Sequence, residues 1–381
     1  MKKTTRTVLS LYNLRPVRIG SVETFARELS LQLGQRGWNS VICFTQQPEG
    51  AVRRFLTLPN VTTAEFSGLS RFSWHSVQQL AGIIRQHRPR ILHMHFTRLN
   101  GPYPWLARAL GVERVFVTDH DSRPAFSKPA RAAMWKRLAA ALVSRPVSAV
   151  ISVSDYGRRA LADADLLPAR KIRRIYNGVD LSHPILDSAS AERFRRDFSI
   201  PAHRSIVLQV SWIIPEKGIE DLLEAARLVT AKNSDVQFVM VGDGAHRSAF
   251  MRRGVELGLG DHVTWTGVIE ESLRPAYSAA DIVCQASRWD EVFGATIAEA
   301  MSYARPVIGT RVGGIPEVIR HGETGFLVPR GDPAALAEKI SLLLEDRDLR
   351  ERLGQAGRRS AEEKFDLRKN VKELLQLYGV T

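Results

Sequence analysis

The stretch VLSLYNLRPVRIGSVETFARELSLQLG, residues 8–34, contains the first strand–loop–helix unit of the chain. Val8–Leu11 reads as a short strand, and a loop with Pro16 and Gly20 follows it. From Val22 to Leu33, apolar residues recur at the spacing of one helix face, and the pattern stops near a glycine. This order predicts a strand whose carboxyl end leads through a glycine loop into a helix.

The same alternation continues through the first half of the chain. Short apolar, β-branched runs are separated by helical patterns, which is typical of a parallel sheet covered by helices on both faces. The further strands predicted in this half are Val41–Phe44, Arg90–His93, Val115–Thr118, Ala149–Ser152 and Ile172–Tyr176.

A boundary is predicted near residues 183–190, after which the pattern restarts. The second series of strands is Ile206–Val210, Val236–Val241, His262–Trp265, Ile282–Cys284 and Pro306–Gly309. We therefore expect an α/β protein of two doubly wound, Rossmann-like domains, residues 1–186 and 187–366, facing across a cleft. A last helix, about Leu367–Tyr378 within residues 367–381, is expected to complete the first domain. In such sheets, ligands bind beyond the carboxyl ends of the strands.

Composition excludes several classes of protein. The 381 residues are 44% hydrophobic and 25% charged, as in globular domains. Cys43 and Cys284 stand far apart and outside any metal-ligand spacing, which argues against a disulfide framework or a zinc site. No apolar run reaches the roughly 18 residues of a membrane span, and no signal-like segment follows Met1. We expect a cytoplasmic protein.

The net charge of +14 is distributed unevenly. Residues 1–190 hold 28 Lys and Arg against 12 Asp and Glu, whereas the remainder holds 26 against 28. This asymmetry favours an anionic partner for the first half. A basic amphipathic helix within Pro124–Arg145 and the segment Arg71–His75 suggest peripheral contact with the inner membrane face. The alternative is a helix packed into the domain with Trp135 buried. No nucleic-acid motif accompanies the charge, so nucleic acid is not an expected partner.

The strongest chemical pattern is DEVFGATIAEAM, residues 290–301, in which Glu291 and Glu299 stand eight positions apart. Gly294 would begin a helix, where backbone N–H groups and the helix dipole favour a phosphate. Glu291 would face sugar hydroxyls from the loop, and Glu299 would accept hydrogen bonds from a ribose diol. Taken alone, the pattern also fits an ordinary amphipathic helix with surface glutamates.

Glu291-x7-Glu299, with Phe293-Gly294 inside it, resembles the signature of the retaining glycosyltransferases of family 4, which have the GT-B fold. Further segments agree with that family in order and spacing, so the resemblance covers nearly the whole chain. They are Tyr176–Asp180, Pro215–Gly218, Val241–Gly244, Gly313–Glu317 and Thr324–Val328.

The resemblance implies roles for individual residues. Glu291, His120 and Lys217 would be catalytic: Lys217 would neutralise the donor diphosphate, and the other two would contact the transferred sugar. Glu299 would bind the ribose, and Val268 would lie against the nucleobase. The donor-binding residues that it implies are Gly20, Trp212, Lys217, Gly244, Val268, Glu291, Phe293, Gly294, Ala295 and Glu299.

One position departs from the family pattern. The family has a Gly-Arg pair five positions before the lysine, and this chain has Ser211-Trp212 there. Tryptophan lacks the planar, permanently charged fork with which arginine binds phosphate. Another cation could replace it, Trp212 could stack on a ring of the donor, or the site could be weak or inactive. The candidate replacement cations are Arg15, Arg18 and Arg288.

The function implied by the resemblance is retaining transfer of a hexose-type sugar from a nucleotide-diphosphate sugar. The acceptor would be a polysaccharide, an oligosaccharide or a lipid-linked glycan of the cell surface, and neither a metal nor a cofactor would be needed. Two alternatives stay open. One is a weak or inactive relative that binds nucleotide sugar, and the other is a nucleotide-sugar epimerase with the same architecture.

Overall fold

The computed structural model describes residues 5–69, 73–97, 101–122, 134–164, 167–185 and 187–380, with only the backbone of residues 5 and 134–138. The chain divides into two compact units. The first unit consists of residues 1–121, 127–178 and 367–381, and the second of residues 122–126 and 179–366, each taken over its described part.

The strands, in chain order, are β1 Thr5–Tyr12, β2 Asn39–Phe44, β3 Val61–Glu65, β4 Pro89–His95, β5 Arg114–Asp119, β6 Ala149–Ser152, β7 Ile172–Arg174, β8 Ser205–Val210, β9 Val236–Val241, β10 Val263–Gly267, β11 Ile282–Gln285, β12 Val307–Thr310 and β13 Phe326–Val328. The α-helices are α1 Ser21–Gly34, α2 Gly50–Leu56, α3 Trp74–His87, α4 Tyr103–Ala109, α5 Met134–Ser144, α6 Asp155–Asp163, α7 Ser188–Asp197, α8 Ile219–Thr230, α9 Arg247–Glu256, α10 Arg274–Ala279, α11 Ala295–Ser302, α12 Ile315–Val318, α13 Pro333–Glu345, α14 Arg347–Lys364 and α15 Leu367–Tyr378. Short 3₁₀ turns span Ala169–Lys171 and Pro215–Lys217.

The first unit contains a seven-stranded sheet in the order β3-β2-β1-β4-β5-β6-β7, in which every pair is parallel. Its central strands are buried on both faces, which explains why their sequences are mostly apolar. Helix α15 packs on this unit, where Val371 and Leu374 join a core with Val8, Leu29 and Phe116.

The second unit contains a six-stranded parallel sheet in the order β10-β9-β8-β11-β12-β13. Helices α8 and α13 cover one of its faces, with Leu222, Leu223 and Ile340 in a core that also holds Val207 and Phe238. The prediction of two parallel α/β sheets with helices is confirmed.

All the predicted strands exist, but the sequence did not indicate β3 or β13. Both are edge strands. β3 is largely polar and only partly buried, so it lacks an apolar run, and β13 has three residues directly after Gly325. A basic helix is predicted within Pro124–Arg145. Its residues 124–133 and the side chains of residues 134–138 lie outside the described residues. Residues 71–72 of the predicted segment Arg71–His75 lie outside them as well. Across the described ranges, no helix combines the length and the apolar character that crossing a membrane requires.

Candidate active site

In the second unit, the predicted site residues follow the carboxyl ends of four neighbouring strands. Trp212 and Lys217 come after β8, Gly244 after β9, Val268 after β10 and Glu291 after β11. Because these strands are parallel, their carboxyl ends lie at one edge of the sheet, where ligands of doubly wound folds bind.

Lys217 and Glu291 form an ion pair at this edge, with Nζ 2.6 Å from Oε1. Both side chains are largely shielded from water, with 16% of Lys217 and 8% of Glu291 exposed. Ser287 Oγ donates to the same carboxylate oxygen at 2.6 Å. Because water screens them little, the two charges attract each other more strongly than an ion pair in water does. The site therefore holds a compact cation directly beside an anion.

The turn that carries Lys217 is held by backbone geometry. Gly218 has φ 67°, and a Cβ at this position would lie 1.8 Å from the carbonyl oxygen of Ala286. Gln209 in β8 donates from Nε2 to the Lys217 carbonyl at 3.0 Å and accepts at Oε1 from the Ala286 amide at 3.3 Å. Lys217 is thus tied to both β8 and the end of β11.

Gly294 forms the entrance to α11, with φ 108°. The first amides of a helix have no intrahelical acceptor, so Ala295 and its neighbours can present N–H groups to an anion. The side chain of Phe293 is buried and packs edge-on against Phe365 at 5.4 Å, so only the backbone of Phe293 is available at this turn.

Two further glycines allow the Glu291 loop to pack closely. A Cβ on Gly313 would lie 2.1 Å from the Glu291 carbonyl oxygen, and one on Gly314 would lie 2.4 Å from that of Val292. The Gly314 amide donates to the Glu291 carbonyl at 2.7 Å. The pair Gly313-Gly314 therefore fixes the backbone from which the Glu291 side chain projects.

The glycine turn after β9 packs against the segment after β8. Cβ atoms on Gly242 and Gly244 would lie 2.0 Å from Ser211 O and 2.4 Å from Ile213 O. Trp212, which lies between Ser211 and Ile213 in the chain, has 70% of its surface exposed, and Val268 is also exposed. Both side chains are accessible to a ligand at this edge.

Glu299 lies on α11 and accepts a hydrogen bond from the hydroxyl of Tyr277 on α10, at 2.7 Å. Tyr277 is almost fully buried, whereas Glu299 is partly exposed. The carboxylate therefore stands between a buried donor and solvent.

The candidate replacement cations have their own contacts. Arg288 binds Asp221 with two guanidinium nitrogens, Nε lying 2.8 Å from Oδ2, and these hydrogen bonds raise the pKa of Arg288. Asp221 is buried, so Arg288 already compensates its charge. In the first unit, Arg15 donates to Gln46 at 3.0 Å.

Gly20 caps the start of α1 in the first unit. Its amide donates to Glu23 Oε2 at 3.0 Å, and its carbonyl accepts from Thr24 Oγ1 at 2.8 Å. Burial raises the pKa of the Glu23 carboxyl, while the bond from Gly20 and the nearby Arg18 act in the opposite direction.

His120 follows the carboxyl end of β5 and belongs to a cluster of aromatic and imidazole rings. Its Nε2 lies 3.3 Å from His95 Nδ1, and its ring stacks on Phe96 with centroids 4.2 Å apart. His95 in turn stacks on Tyr12 at 4.4 Å and lies 3.9 Å from the ring of His93. Burial lowers the pKa of His120 to about 4, so its imidazole is neutral at neutral pH.

Sequence reasoning did not predict Gln209, Tyr277, Ser287 or His95. Gln209 interrupts the apolar run of β8, and a polar residue inside a buried strand is a usable signal because it needs a hydrogen-bonding partner. Tyr277 carries no such signal, because its contact with Glu299 joins two elements 22 residues apart.

Comparisons with known proteins agree over both units. The family model for glycosyl transferases group 1 matches residues 190–360, and the model for glycosyltransferase family 4 matches residues 22–183. The chain is 32% identical to alpha-D-kanosaminyltransferase of Streptomyces kanamyceticus, over 66% of this chain and 67% of that protein. It is 30% identical to N-acetyl-alpha-D-glucosaminyl L-malate synthase of Bacillus anthracis, over 55% of this chain and 54% of that protein, about half its length.

Solved structures show the same fold. A glycosyltransferase from Rickettsia africae ESF-5 superposes with a TM-score of 0.81 at 24% identity, covering 99% of this chain and 98% of that one. The Anabaena protein Alr3699/HepE, solved in complex with UDP and glucose, superposes with a TM-score of 0.77 at 20% identity, covering 98% and 100%. The two sheets described above therefore form the GT-B fold.

Proposed function

Because the chain belongs to the glycosyltransferases of group 1 and family 4, we propose that it moves a hexose-type sugar from a nucleotide-diphosphate sugar to a glycan or lipid-linked acceptor. The transfer retains the anomeric configuration and uses neither a metal nor a cofactor. The product serves the assembly of cell-surface polysaccharide or glycolipid. The protein acts in the cytoplasm.

The observation that supports this proposal best is the Lys217–Glu291 pair beside the helix entrance at Gly294. A donor carries a diphosphate and a sugar, so it needs cationic groups next to hydrogen-bond acceptors. Lys217 and the first amides of α11 supply positive charge to the diphosphate, and Glu291 accepts hydrogen bonds from the sugar hydroxyls. This positive charge lets the site act without a divalent cation.

In the proposed reaction, the bond between the anomeric carbon and the diphosphate oxygen breaks while the acceptor oxygen bonds to the same face of the sugar. The acceptor proton passes to an oxygen of the departing phosphate. Charge grows on the diphosphate as it leaves, and Lys217 together with the helix N-terminus stabilises that charge. The protein otherwise holds donor and acceptor in a reactive arrangement.

A thermal-shift screen without metal tests the donor class, using UDP-, GDP- and ADP-sugars. A ligand at about a hundredfold its Kd stabilises the native state by about 2.7 kcal/mol. Since HepE was solved with UDP and glucose, UDP-glucose is the first donor to test. Absence of a shift with all three nucleotide classes would contradict the proposal.

Transfer itself is measured as release of the nucleoside diphosphate in the presence of an acceptor. The relatives' names include both a malate and, in Mycobacterium tuberculosis, a phosphatidylinositol monomannoside, so soluble and lipid acceptors belong in the assay. Anomeric configuration of the product is read by NMR. Inversion would overturn the retaining assignment while leaving donor use intact.

The exposed Trp212 favours a second candidate, a relative that binds nucleotide sugar with little or no turnover. Without an arginine fork, the diphosphate loses a bidentate partner at this position. A thermal shift with a donor and no release of nucleoside diphosphate would support this candidate. Restoration of transfer in Trp212→Arg would identify the missing charge as the reason.

The epimerase alternative makes a different prediction for the same donor. An epimerase changes the sugar configuration of the nucleotide sugar in the absence of any acceptor, and a transferase consumes the donor only when an acceptor is present. Chromatography of the nucleotide sugars after incubation without acceptor separates the two. A new nucleotide sugar in that sample would replace the transferase proposal.

We further propose that the first unit contacts the inner membrane face. The charge excess of residues 1–190 supports this, together with large apolar side chains that are exposed on its helices: Trp74 at 75%, Leu142 at 60% and Trp105 at 41%. Sedimentation with vesicles of neutral lipid and with vesicles containing anionic lipid tests it. Binding that requires anionic lipid and weakens with salt is expected, and equal binding to both vesicles would contradict it.

A further inference from the structure

Tyr277 holds a buried hydroxyl against the carboxylate of Glu299. The residue belongs to α10, only 2% of it is exposed, and its hydroxyl donates to Glu299 Oε2 at 2.7 Å. A hydrogen bond from a hydroxyl to a carboxylate is charge-assisted and stronger than one between neutral groups. The contact therefore fixes one carboxylate oxygen of Glu299 towards the interior of the unit.

The direction of this hydroxyl is set by a stack of three rings. The ring of Tyr277 lies parallel to that of Tyr303, with centroids 5.4 Å apart and an interplanar angle of 15°. Tyr303 stacks on His183 at 3.8 Å and 7°. His183 Nε2 lies 3.1 Å from Ser302 Oγ, which donates to the Glu299 backbone carbonyl at 2.6 Å. Side chain and backbone of Glu299 are thus both connected to the same stack.

A carboxylate with two free oxygens can rotate and bind a diol in several orientations. When one oxygen is held by a buried hydroxyl, the rotation stops and the lone pairs of the other oxygen point in a defined direction. A pair of vicinal hydroxyls, which donates from two adjacent positions, binds more tightly to such a fixed acceptor than to a rotating one. For a ribose that lacks one of those hydroxyls, this increase in affinity is smaller.

We propose that Tyr277 is the positioning residue that orients Glu299 for the ribose diol of the donor and thereby makes the site select ribonucleotides over deoxyribonucleotides. The inference rests on the proposed function in one respect, the assignment of Glu299 to the ribose. Tyr277 itself contacts the carboxylate and not the donor.

Binding of UDP and of 2′-deoxy-UDP to wild type and to Tyr277→Phe, measured by calorimetry, tests the proposal, with GDP and 2′-deoxy-GDP as the second pair. Phenylalanine keeps the ring stack and removes only the hydroxyl. We expect Tyr277→Phe to weaken the ribonucleotide by about twofold to tenfold, the usual effect of one hydrogen bond, and to leave the deoxynucleotide within twofold. The ratio of the two Kd values then moves towards one.

Tyr303→Phe is the matched control. Its hydroxyl is hydrogen-bonded to Arg274, and Glu299 acts on it only through its charge, so its removal should leave the ratio of Kd values unchanged. Equal weakening of both nucleotides by Tyr277→Phe, or no weakening of either, would overturn the inference.

Because binding does not require turnover, the result is separable from the proposed function. A wild type that discriminates between the two nucleotides but transfers no sugar would contradict the transferase proposal and leave the inference standing. An active transferase whose ribose discrimination is the same in Tyr277→Phe would support the transferase proposal and contradict the inference. A wild type that binds both nucleotides equally would overturn the ribose assignment of Glu299 and the inference with it.

Discussion

Lys217 Nζ lies 2.6 Å from Glu291 Oε1, so two residues expected to serve different parts of the donor already bind each other. The pair keeps each charge compensated where little water reaches. A donor that enters must exchange this contact for its own: the diphosphate takes the ammonium, and the sugar hydroxyls take the carboxylate. The pair is thus a preformed arrangement of opposite charges that matches a ligand with an anionic part and a hydroxylated part.

Lys217→Ala is expected to reduce transfer by about a hundredfold to a thousandfold, the usual effect of removing one group that stabilises developing charge. The measurement is kcat/KM for release of the nucleoside diphosphate. Lys232→Ala removes an exposed lysine at the end of the α8 region and should leave the rate unchanged. Full activity in Lys217→Ala would disprove the assignment of this lysine.

Gly218→Ala is expected to destabilise the second unit by several kcal/mol, because the new Cβ would collide with the Ala286 carbonyl at 1.8 Å. Gly258→Ala is the matched control, since Gly258 also has a positive φ, 73°, but has no neighbouring atom within 4 Å of the new Cβ. The control should lose only about 1–2 kcal/mol, the cost of the left-handed conformation. Urea unfolding compares the two variants, and equal losses would contradict the close packing of this turn.

Ala304→Gly is expected to stabilise the protein by about 1 kcal/mol. Ala304 has φ 51°, a conformation in which an L-residue with a Cβ is strained and glycine is not. Ala300→Gly, inside the buried face of α11, makes the same chemical change where φ is helical and should destabilise instead. Thermal denaturation measures the change in Tm for both variants, which should be positive for Ala304→Gly and negative for Ala300→Gly. A lower Tm for Ala304→Gly would contradict the prediction.

The buried histidines predict a loss of stability in mild acid. Burial lowers the pKa of His93 to about 3 and that of His120 to about 4, from an ordinary value of 6.5, and lowers that of His95 as well. Below pH 6.5 the unfolded chain binds protons that the native state does not, so the free energy of unfolding falls as the pH falls. Each histidine contributes up to about 1.4 kcal/mol per pH unit in that window.

Urea unfolding of wild type and of His95→Asn at pH 7 and pH 5 measures this effect. The variant has one buried imidazole fewer. The loss in its free energy of unfolding between pH 7 and pH 5 should therefore be about 2 kcal/mol smaller than the loss in wild type, whatever the stability of the variant at pH 7. The same difference in both proteins would show that His95 does not carry this proton linkage.

The parts of the fold that could be predicted are those in which burial requires apolar side chains or a turn requires glycine, because such residues are visible in the sequence. β8 and β9 are covered on both faces, so their residues are mostly apolar, with Gln209 and Gln237 as the exceptions inside them. The glycines at 218, 242 and 294 mark turns that need a positive φ. β3 escaped prediction because an edge strand needs no apolar run. In the site, Glu291 and Glu299 share one local pattern, whereas Tyr277 and His95 acquire their contacts only through packing between distant elements, which leaves no spacing to read.

Helix α15 gives the first unit a discontinuous chain, because residues 179–366 of the second unit are synthesised between its two parts. On a ribosome, the whole second unit is made before the segment that carries Val371 and Leu374 into the core of the first. At about 5–20 residues per second, that interval is on the order of ten seconds or more. During it, the nascent first sheet has an uncovered apolar patch beside Val8 and Phe116, which makes it a natural client for chaperones that hold unfinished domains.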